Sequence, residues 1–415
     1  MRRPAATADR PLRIAMIGCR GVPARWGGIE RHVEELGAVL AERGHEVTVF
    51  CRSNYVQGDL VEHRGMRLRR LPTVGTKHLD AIVHSGLATA VALGSPFDVL
   101  HYHALGPGVM GALPRYLSSD KVVLTVHGLD DQRAKWGRGA ATLLRTAGWL
   151  SGRVPDATIV VSRDLERHYR QRRGCPAIYV PNGVLPPAPR APGAGLARFG
   201  LAAGRYLLFV GRFVPEKAPD RLLRAFRRVT GDARLVLVGG SSFTNEYART
   251  LQALAAEDPR VTLVGFLYGT ELEELYANAA AFVLPSELEG LPLTLLEAAA
   301  AGTPVVASSI PPHVEVLKTD GPGRRLVRPG DEAALAGALQ QVLRDPARER
   351  AGAAALRDRV LSTYRWPDVA ATTERVYRWV LDRRAPQPRH DERATVTVGA
   401  DAAHLPLGRE RRASW

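Results

Sequence analysis

Two short segments carry side chains whose types and spacing suit chemistry on an anion. In YLLFVGRFVPEKAPD an apolar run ends at Gly211 and is followed by Arg212 and Lys217, ahead of a helix expected to begin near Pro219. Arginine grips two phosphate oxygens through its planar fork, and lysine supplies a compact point charge. In SELEGLPLTLLEAAAAGTPVV, Glu289 and Glu297 flank a predicted helix start. Gly290 permits a tight turn there and Pro292 suits the first helical position, so free helix N–H groups would aim at the same point as the cations. At helical rise the two carboxylates stand about 12 Å apart, enough to hold both ends of one extended ligand. The helix is otherwise almost wholly apolar and should be buried, so a carboxylate within it needs a partner. Two cations and a helix tip together make a metal-free receiver for the negative charge of a departing diphosphate.

The turn after the first apolar run, GCRGVPARWGG, tests the commonest rival. Its glycines at 18 and 21 do not fit the dinucleotide fingerprint, and the second run, EVTVF, leads to Cys51 and Arg52 rather than to an acid that would hold a ribose. A nicotinamide cofactor is therefore not expected. The loop instead delivers Gly27 and Gly28 to a helix N-terminus, where bare backbone N–H groups can approach a phosphate or a sugar. Cys19, Cys51 and Cys175 stand far apart, in neither a zinc nor a disulfide pattern. No metal site and no cofactor are expected, and no D-x-D triplet is present to hold a metal-bound diphosphate.

The elements that must position these residues alternate. Short apolar runs RIAMIG, EVTVF, DVLHYH, KVVLTVH and ATIVVS occupy the first half, and YLLFVG, RLVLVG, VTLVG, AFVLP and TPVVA the second. Amphipathic stretches lie between them, such as GIERHVEELGAVLAERG, whose apolar Ile29, Val33, Leu36, Val39 and Leu40 recur at helical spacing before a C-cap at Gly44. That pattern predicts an α/β chain of two Rossmann-like domains, 11–185 and 201–365, with parallel sheets facing a central cleft. A Pro/Gly/Ala-rich linker is expected over 186–200, a helix over 366–384, and disorder over 1–10 and 385–415.

The Arg212 and Lys217 loop, together with EGLPLTLLEAAAAGTPVV, resembles the retaining glycosyltransferases of family 4, which have the GT-B fold. PARWGGIERHVEELGAVLAERGHEVTVF resembles that family's amino-terminal lobe, nearest the bacterial rhamnosyltransferase-like subgroup, and KVVLTVHGLD and VPNGV resemble later landmarks. The resemblance implies a hexosyltransferase-type enzyme that moves a sugar, with net retention and without metal, from a nucleoside-diphosphate sugar to a glycan or lipid-linked acceptor in cell-envelope polysaccharide or glycoconjugate synthesis. It implies that Glu297 holds the donor ribose hydroxyls, Glu289 the transferred sugar, and Arg212 and Lys217 the diphosphate. His127, ending KVVLTVH, matches a histidine near the reacting sugar. Gly265 and Phe266, in VTLVGFLYGTELEEL, match the part lining the nucleobase. Leu291 and Pro292 depart from the family's second glycine after the first glutamate, which alters the fit around the sugar beside Gly290 and Leu291. A sugar-nucleotide epimerase, or a non-catalytic nucleotide-sugar binder of the same fold, is the alternative; an epimerase needs a further acid cluster that the sequence lacks.

Net charge is +15, spread along the chain rather than in one stripe, and no nucleic-acid-binding motif accompanies it. In DQRAKWGRGAATLLRTAGWLSGR, Arg133, Lys135, Arg138 and Arg145 alternate with Trp136 and Trp149, a composition suited to an anionic membrane surface or a lipid-linked phosphate. MRRPAATADR lacks the apolar core of a signal peptide. A cytoplasmic protein with peripheral contact at the inner face of the plasma membrane is expected.

Overall fold

All ten apolar runs become strands. The computed structural model describes residues 10–25, 27–56, 58–74, 79–129, 146–240, 245–382 and 387–388. The first sheet holds β1 (Arg13–Ile17), β2 (Glu46–Arg52), β3 (Glu62–His63), β4 (Met66–Leu71), β5 (Val99–His103), β6 (Lys121–Val126), β7 (Ala157–Val160) and β8 (Ile178–Tyr179), in the order β3-β4-β2-β1-β5-β6-β7-β8. Only the β3–β4 pair is antiparallel. The second sheet holds β9 (Tyr206–Val210), β10 (Arg234–Val238), β11 (Val261–Gly265), β12 (Ala281–Leu284), β13 (Val305–Ser308) and β14 (Arg324–Val327), ordered β11-β10-β9-β12-β13-β14. The chain reverses its direction of travel across each sheet, between β1 and β5 in the first and between β9 and β12 in the second. Ligands of open parallel sheets sit at such switch points, beyond the carboxyl ends of the strands.

The first helix, Gly28–Glu42, buries Val33, Leu36 and Leu40 against Ile14, Met16 and Val49. It stops where Gly44 takes a φ of 90°, which lets the Gly44 and His45 amides reach the carbonyls of Ala41 and Leu40. The helix Trp366–Leu381 returns to the amino-terminal lobe and packs on this first helix, contributing Trp366, Val369, Ala370 and Tyr377 to the same buried cluster. The outgoing crossing at Val184 and the returning one at Arg365 run side by side, joined by Val184 N–H to the Tyr364 carbonyl. A second apolar cluster runs from Ile17 and Tyr102 through Val184 and Leu196 to Leu208 and Val283, so packing as well as chain connects the sheets.

Two boundary expectations change. Inside the 186–200 linker, Ala194–Arg198 forms a short helix, because Glu274 accepts the N–H groups of Gly193, Gly195 and Leu196 and so satisfies donors that composition alone left unpartnered. Arg10, expected to be disordered, is fixed by Asp98 at 2.9 Å. The expected disorder at 1–9 and in most of 385–415 lies outside the described residues.

Glu374 on the returning helix meets Arg43 at 2.7 Å, His45 at 3.4 Å and Arg378 at 2.8 Å. Burial pushes its carboxyl up, but hydrogen bonds from Arg43 and Arg378 and the charges nearby outweigh this and hold it at about 2. A lowered carboxyl stabilises the fold above its ordinary value of 4.5, and the benefit is lost as pH falls from there towards 2. After allowance for solvent screening, about 1 kcal/mol should disappear across that window. Thermal melts at pH 5 and pH 3 check this: the Glu374→Gln protein should show the smaller drop, and equal drops refute the role.

Candidate active site

The cation loop begins where β9 ends. Gly211 leaves space for the lysine stem: a Cβ there would lie 3.0 Å from Lys217 Cδ. After the turn Pro215–Lys217, Ala218 adopts φ 49° and starts the helix Pro219–Phe226, as the sequence led us to expect. The loop after β12 runs alongside, tied by the Glu287 N–H to the Glu216 carbonyl at 2.9 Å and by Arg221 to Glu287 at 2.7 Å. Lys217 Nζ thus reaches Glu289 Oε1 at 2.7 Å, with both side chains about nine-tenths buried, and Ser286 Oγ donates to the same oxygen at 2.8 Å. Burial pushes the Glu289 carboxyl up, but Lys217, His313 and the Ser286 hydroxyl outweigh it and leave it lowered. Arg212 lies half-buried on the same loop, between Gly211 and Val214. The β9/β12 switch point therefore carries a paired cation and carboxylate together with a second cation.

The helix that follows is Leu293–Ala300, with Pro292 as its N-cap rather than its first helical residue. Glu289 consequently precedes the helix, and the 12 Å spacing read from helical rise does not apply to it. Gly290 is needed for a different reason from a tight turn: a Cβ there would lie 1.9 Å from the His127 carbonyl oxygen, so only glycine lets the two lobes approach at this point. Leu291 is buried and its carbonyl accepts Asn182 Nδ2 at 2.6 Å, a second contact between lobes. Glu297, in the helix, accepts from the Tyr276 hydroxyl at 3.3 Å. Burial raises its carboxyl, an effect that Arg31 of the first helix opposes and that Glu35 and Glu273 reinforce. Charged groups of both lobes thus act on Glu297.

From that lobe, Gly28 opens the first helix and sits against Leu293, while Gly27 at its N-cap takes φ 107°. The preceding loop is pinned by helix carboxylates: Glu30 accepts the Arg20 N–H at 3.0 Å and Glu34 the Ala24 N–H at 3.1 Å. His127 follows β6 and lies half-buried beside two histidines that the sequence reading passed over. His103 Nδ1 stands 3.2 Å from His127 Nε2, and the His32 ring centroid is 4.6 Å from that of His127. Burial pushes all three imidazoles down, His32 to about 4, so they are neutral at physiological pH.

Gly265 ends β11 with φ 73°, and Phe266 is exposed, stacked on Tyr268 at an interplanar angle of 7°. The Phe266 ring covers Gly240 at the end of β10, and Arg25 from the amino-terminal loop lies close enough to favour Tyr268 ionisation against its burial. Every residue singled out for the site is thus placed at the carboxyl ends of the two sheets. Asn182, Tyr276, Ser286 and His313 join them; Asn182 lies in VPNGV and Ser286 in SELEGLPL, segments with a recognisable pattern, whereas Tyr276 and His313 carry no local signal. Of the proposed membrane-facing stretch, 130–145 lies outside the described residues. Trp149 is exposed, with the Arg153 guanidinium 4.5 Å over its ring, and among the described residues no helix is long and apolar enough to cross a membrane.

Comparison with known proteins adds to this geometry. Residues 201–358 match the model for "Glycosyl transferases group 1", and residues 26–186 that for "Glycosyltransferase Family 4". The chain is 30% identical to a glycogen synthase of Mycobacterium tuberculosis, over 91% of this chain and 97% of that one. The structure of sucrose-phosphate synthase from Thermosynechococcus elongatus superposes with a TM-score of 0.79 at 26% identity, covering 89% of this chain and 99% of that one. Anabaena HepE, solved with UDP-glucose, has a like fold with a TM-score of 0.73 at 17% identity, over 88% and 99%. With two lobes meeting at Gly290 and a cation–carboxylate pair at the switch point of the second, the chain belongs to the family 4 glycosyltransferases and has the GT-B fold.

Proposed function

We propose that this enzyme transfers a sugar from a nucleoside-diphosphate sugar to a glycan or lipid-linked acceptor, with retention and without a metal, as a hexosyltransferase in cell-envelope polysaccharide or glycoconjugate synthesis. The observation that carries this is the buried Lys217–Glu289 pair at the β9/β12 switch point. In the bound state Lys217 turns to the diphosphate with Arg212, and Glu289 accepts hydrogen bonds from hydroxyls of the transferred sugar. Glu297 holds the ribose hydroxyls, His127 faces the sugar across Gly290, and Gly265, Phe266 and the Gly27–Gly28 turn border the base and phosphates. The acceptor oxygen attacks C1 on the face from which the diphosphate leaves; the C1–O phosphate bond breaks as the new C1–O bond forms, and the acceptor proton passes to the departing phosphate oxygen. HepE bound to UDP-glucose supports a nucleotide-sugar donor for this fold. PARWGGIERHVEELGAVLAERGHEVTVF supports a place nearest the rhamnosyltransferase-like subgroup.

Incubation with labelled UDP-, GDP- and dTDP-sugars and a polyprenyl-phosphate-linked or oligosaccharide acceptor should yield free nucleoside diphosphate and a new glycoside of unchanged anomeric configuration, undiminished by EDTA. An isomerised donor points to an epimerase, and a donor bound but unchanged points to a binding protein. A basic, tryptophan-bearing 131–153 stretch supports peripheral contact with anionic membrane at the cytoplasmic face. Co-sedimentation with anionic vesicles that survives changing Arg133, Lys135, Arg138 and Arg145 to Gln refutes that contact.

Glu297→Ala should raise the donor KM roughly 10- to 100-fold, the worth of about 1.5 to 3 kcal/mol for hydrogen bonds to a charged group, with a smaller change in kcat. Ionised Glu297 is the accepting form and its carboxyl is raised, so donor affinity should weaken as pH falls through its titration. A KM indistinguishable from wild type removes Glu297 from the donor site.

A further inference from the structure

The geometry points to a buried site for one divalent cation of the zinc class, formed by His32, His103 and His127, whose occupancy withdraws His127 from the donor cleft. Each imidazole offers one ring nitrogen, and these lie within 4.8 Å of one another. The tautomers follow from the partners. Asn182 donates its amide N–H to the Leu291 carbonyl, so its Oδ1 is the atom facing His32 Nδ1 at 2.9 Å. An amide oxygen only accepts, so His32 carries its proton on Nδ1 and leaves Nε2 a bare lone pair. That Nε2 is buried and has no hydrogen-bond partner among the described residues, while His32 as a whole is 2% exposed.

His103 Nε2 stands 3.3 Å from the Met16 sulfur, which also only accepts, so the His103 proton sits on Nε2 and the Nδ1 lone pair turns towards His127. Two of three ligand nitrogens are therefore already in the coordinating form. His127 needs only to move its proton from Nε2 to Nδ1. Zinc–nitrogen bonds of about 2.0 to 2.1 Å in a tetrahedral site place ligand nitrogens about 3.4 Å apart; the His103–His127 separation of 3.2 Å already matches, and His32 has a short distance to close. Asn182 supplies the outer hydrogen bond that orients a ligating imidazole. His101, the fourth histidine of the cluster, is excluded, because both its nitrogens are engaged by Tyr377 and Thr125. His127 is the half-buried member, so a cation enters from the cleft and its fourth position opens there.

The test uses the full chain stripped of metal, without donor or acceptor, so its outcome does not depend on the proposed transfer. Titration with Co²⁺ should give one saturable equivalent with the visible absorption of a tetrahedral complex, displaced by Zn²⁺. His32→Gln and His103→Gln should each weaken binding at least 100-fold while melting like wild type. X-ray absorption on the wild-type zinc complex should count three imidazole ligands, a reading that stands even where a variant fails to fold. No saturable equivalent, or fewer than three imidazoles, overturns the site. Under the transfer assay, one equivalent of Zn²⁺ should inhibit and EDTA should restore activity; full activity with zinc bound overturns the withdrawal of His127.

Discussion

Lys217→Ala is expected to slow turnover by roughly 30- to 1000-fold, the equivalent of about 2 to 4 kcal/mol of transition-state stabilisation from one preorganised charge. Without a donor, Lys217 is neutralised by Glu289 at 2.7 Å, and the pair keeps a buried carboxylate ionised. When a diphosphate arrives, the ammonium exchanges one anion for another, and the new anion gains charge as the sugar leaves. The lysine's contribution is therefore greater in the transition state than in the ground state, which places the loss in kcat rather than in KM. The substitution also strands Glu289. Its carboxyl, now lowered, should rise once the ammonium is gone, because burial then acts against only the pull of His313 and the Ser286 hydroxyl. Two signs follow. In wild type the lowered carboxyl stabilises the fold above its ordinary 4.5, and this is lost as pH falls. In Lys217→Ala the residual activity should climb with pH as Glu289 ionises. Lys217→Arg should recover part of kcat, and Arg212→Ala should lose kcat in the same direction. Wild-type kcat in Lys217→Ala would remove the leaving-group role altogether.

Much of this arrangement was legible in the sequence, for reasons that particular residues make clear. Parallel strands buried on both faces are continuous apolar runs, and RIAMIG or YLLFVG cannot be much else once followed by a glycine and an amphipathic stretch. The strands that were missed are those near sheet edges. In β4, MRLRRL buries Met66, Leu68 and Leu71 but exposes Arg67, Arg69 and Arg70, so arginines mask its alternation. The two-residue β3 and β8 are too short to show any period, and in β14 RRLV opens on two arginines.

At the site, loop chemistry was readable because Arg212, Lys217 and Glu289 each sit next to the end of a recognisable strand. What local spacing could not supply was where the helix truly starts, or which groups meet across strands. The 12 Å carboxylate spacing extends helical rise back to Glu289, but the helix begins only at Leu293, with Pro292 at its N-cap; proline at an N-cap and proline at the first helical position look alike in sequence. The three histidines come from the first helix, β5 and the loop after β6, brought together only because β1, β5 and β6 are neighbours in the sheet. No spacing along the chain encodes that neighbourhood. Asn182 was visible in VPNGV, but its bond to Leu291, 109 residues away, was not.

Gly290→Ala is expected to cost at least 100-fold in kcat/KM, more than a methyl group usually decides. The added carbon would lie 1.9 Å from the His127 carbonyl oxygen and 2.7 Å from its carbon, and both are backbone atoms. His127 leaves β6, which is held between β5 and β7, so that side has little freedom to yield. The strain must fall on the loop 289–291, and every way of relieving it disturbs the chemistry: moving Glu289 breaks its contact with Lys217, moving Leu291 breaks the carbonyl bond to Asn182, and parting the lobes takes His127 from the sugar. Overpacking of this kind costs about 1 to 3 kcal/mol of stability, so the protein should still fold and a lowered melting temperature should accompany the kinetic loss. Gly337→Ala provides the control: that glycine lies exposed within the helix Glu332–Arg344 and a Cβ there meets nothing within 4 Å, so stability should rise by about 0.5 to 1 kcal/mol with activity unchanged. If Gly290→Ala melted lower yet turned over at the wild-type rate, contact at this point would be packing alone, and His127 could no longer be assigned a position set by how closely the lobes approach.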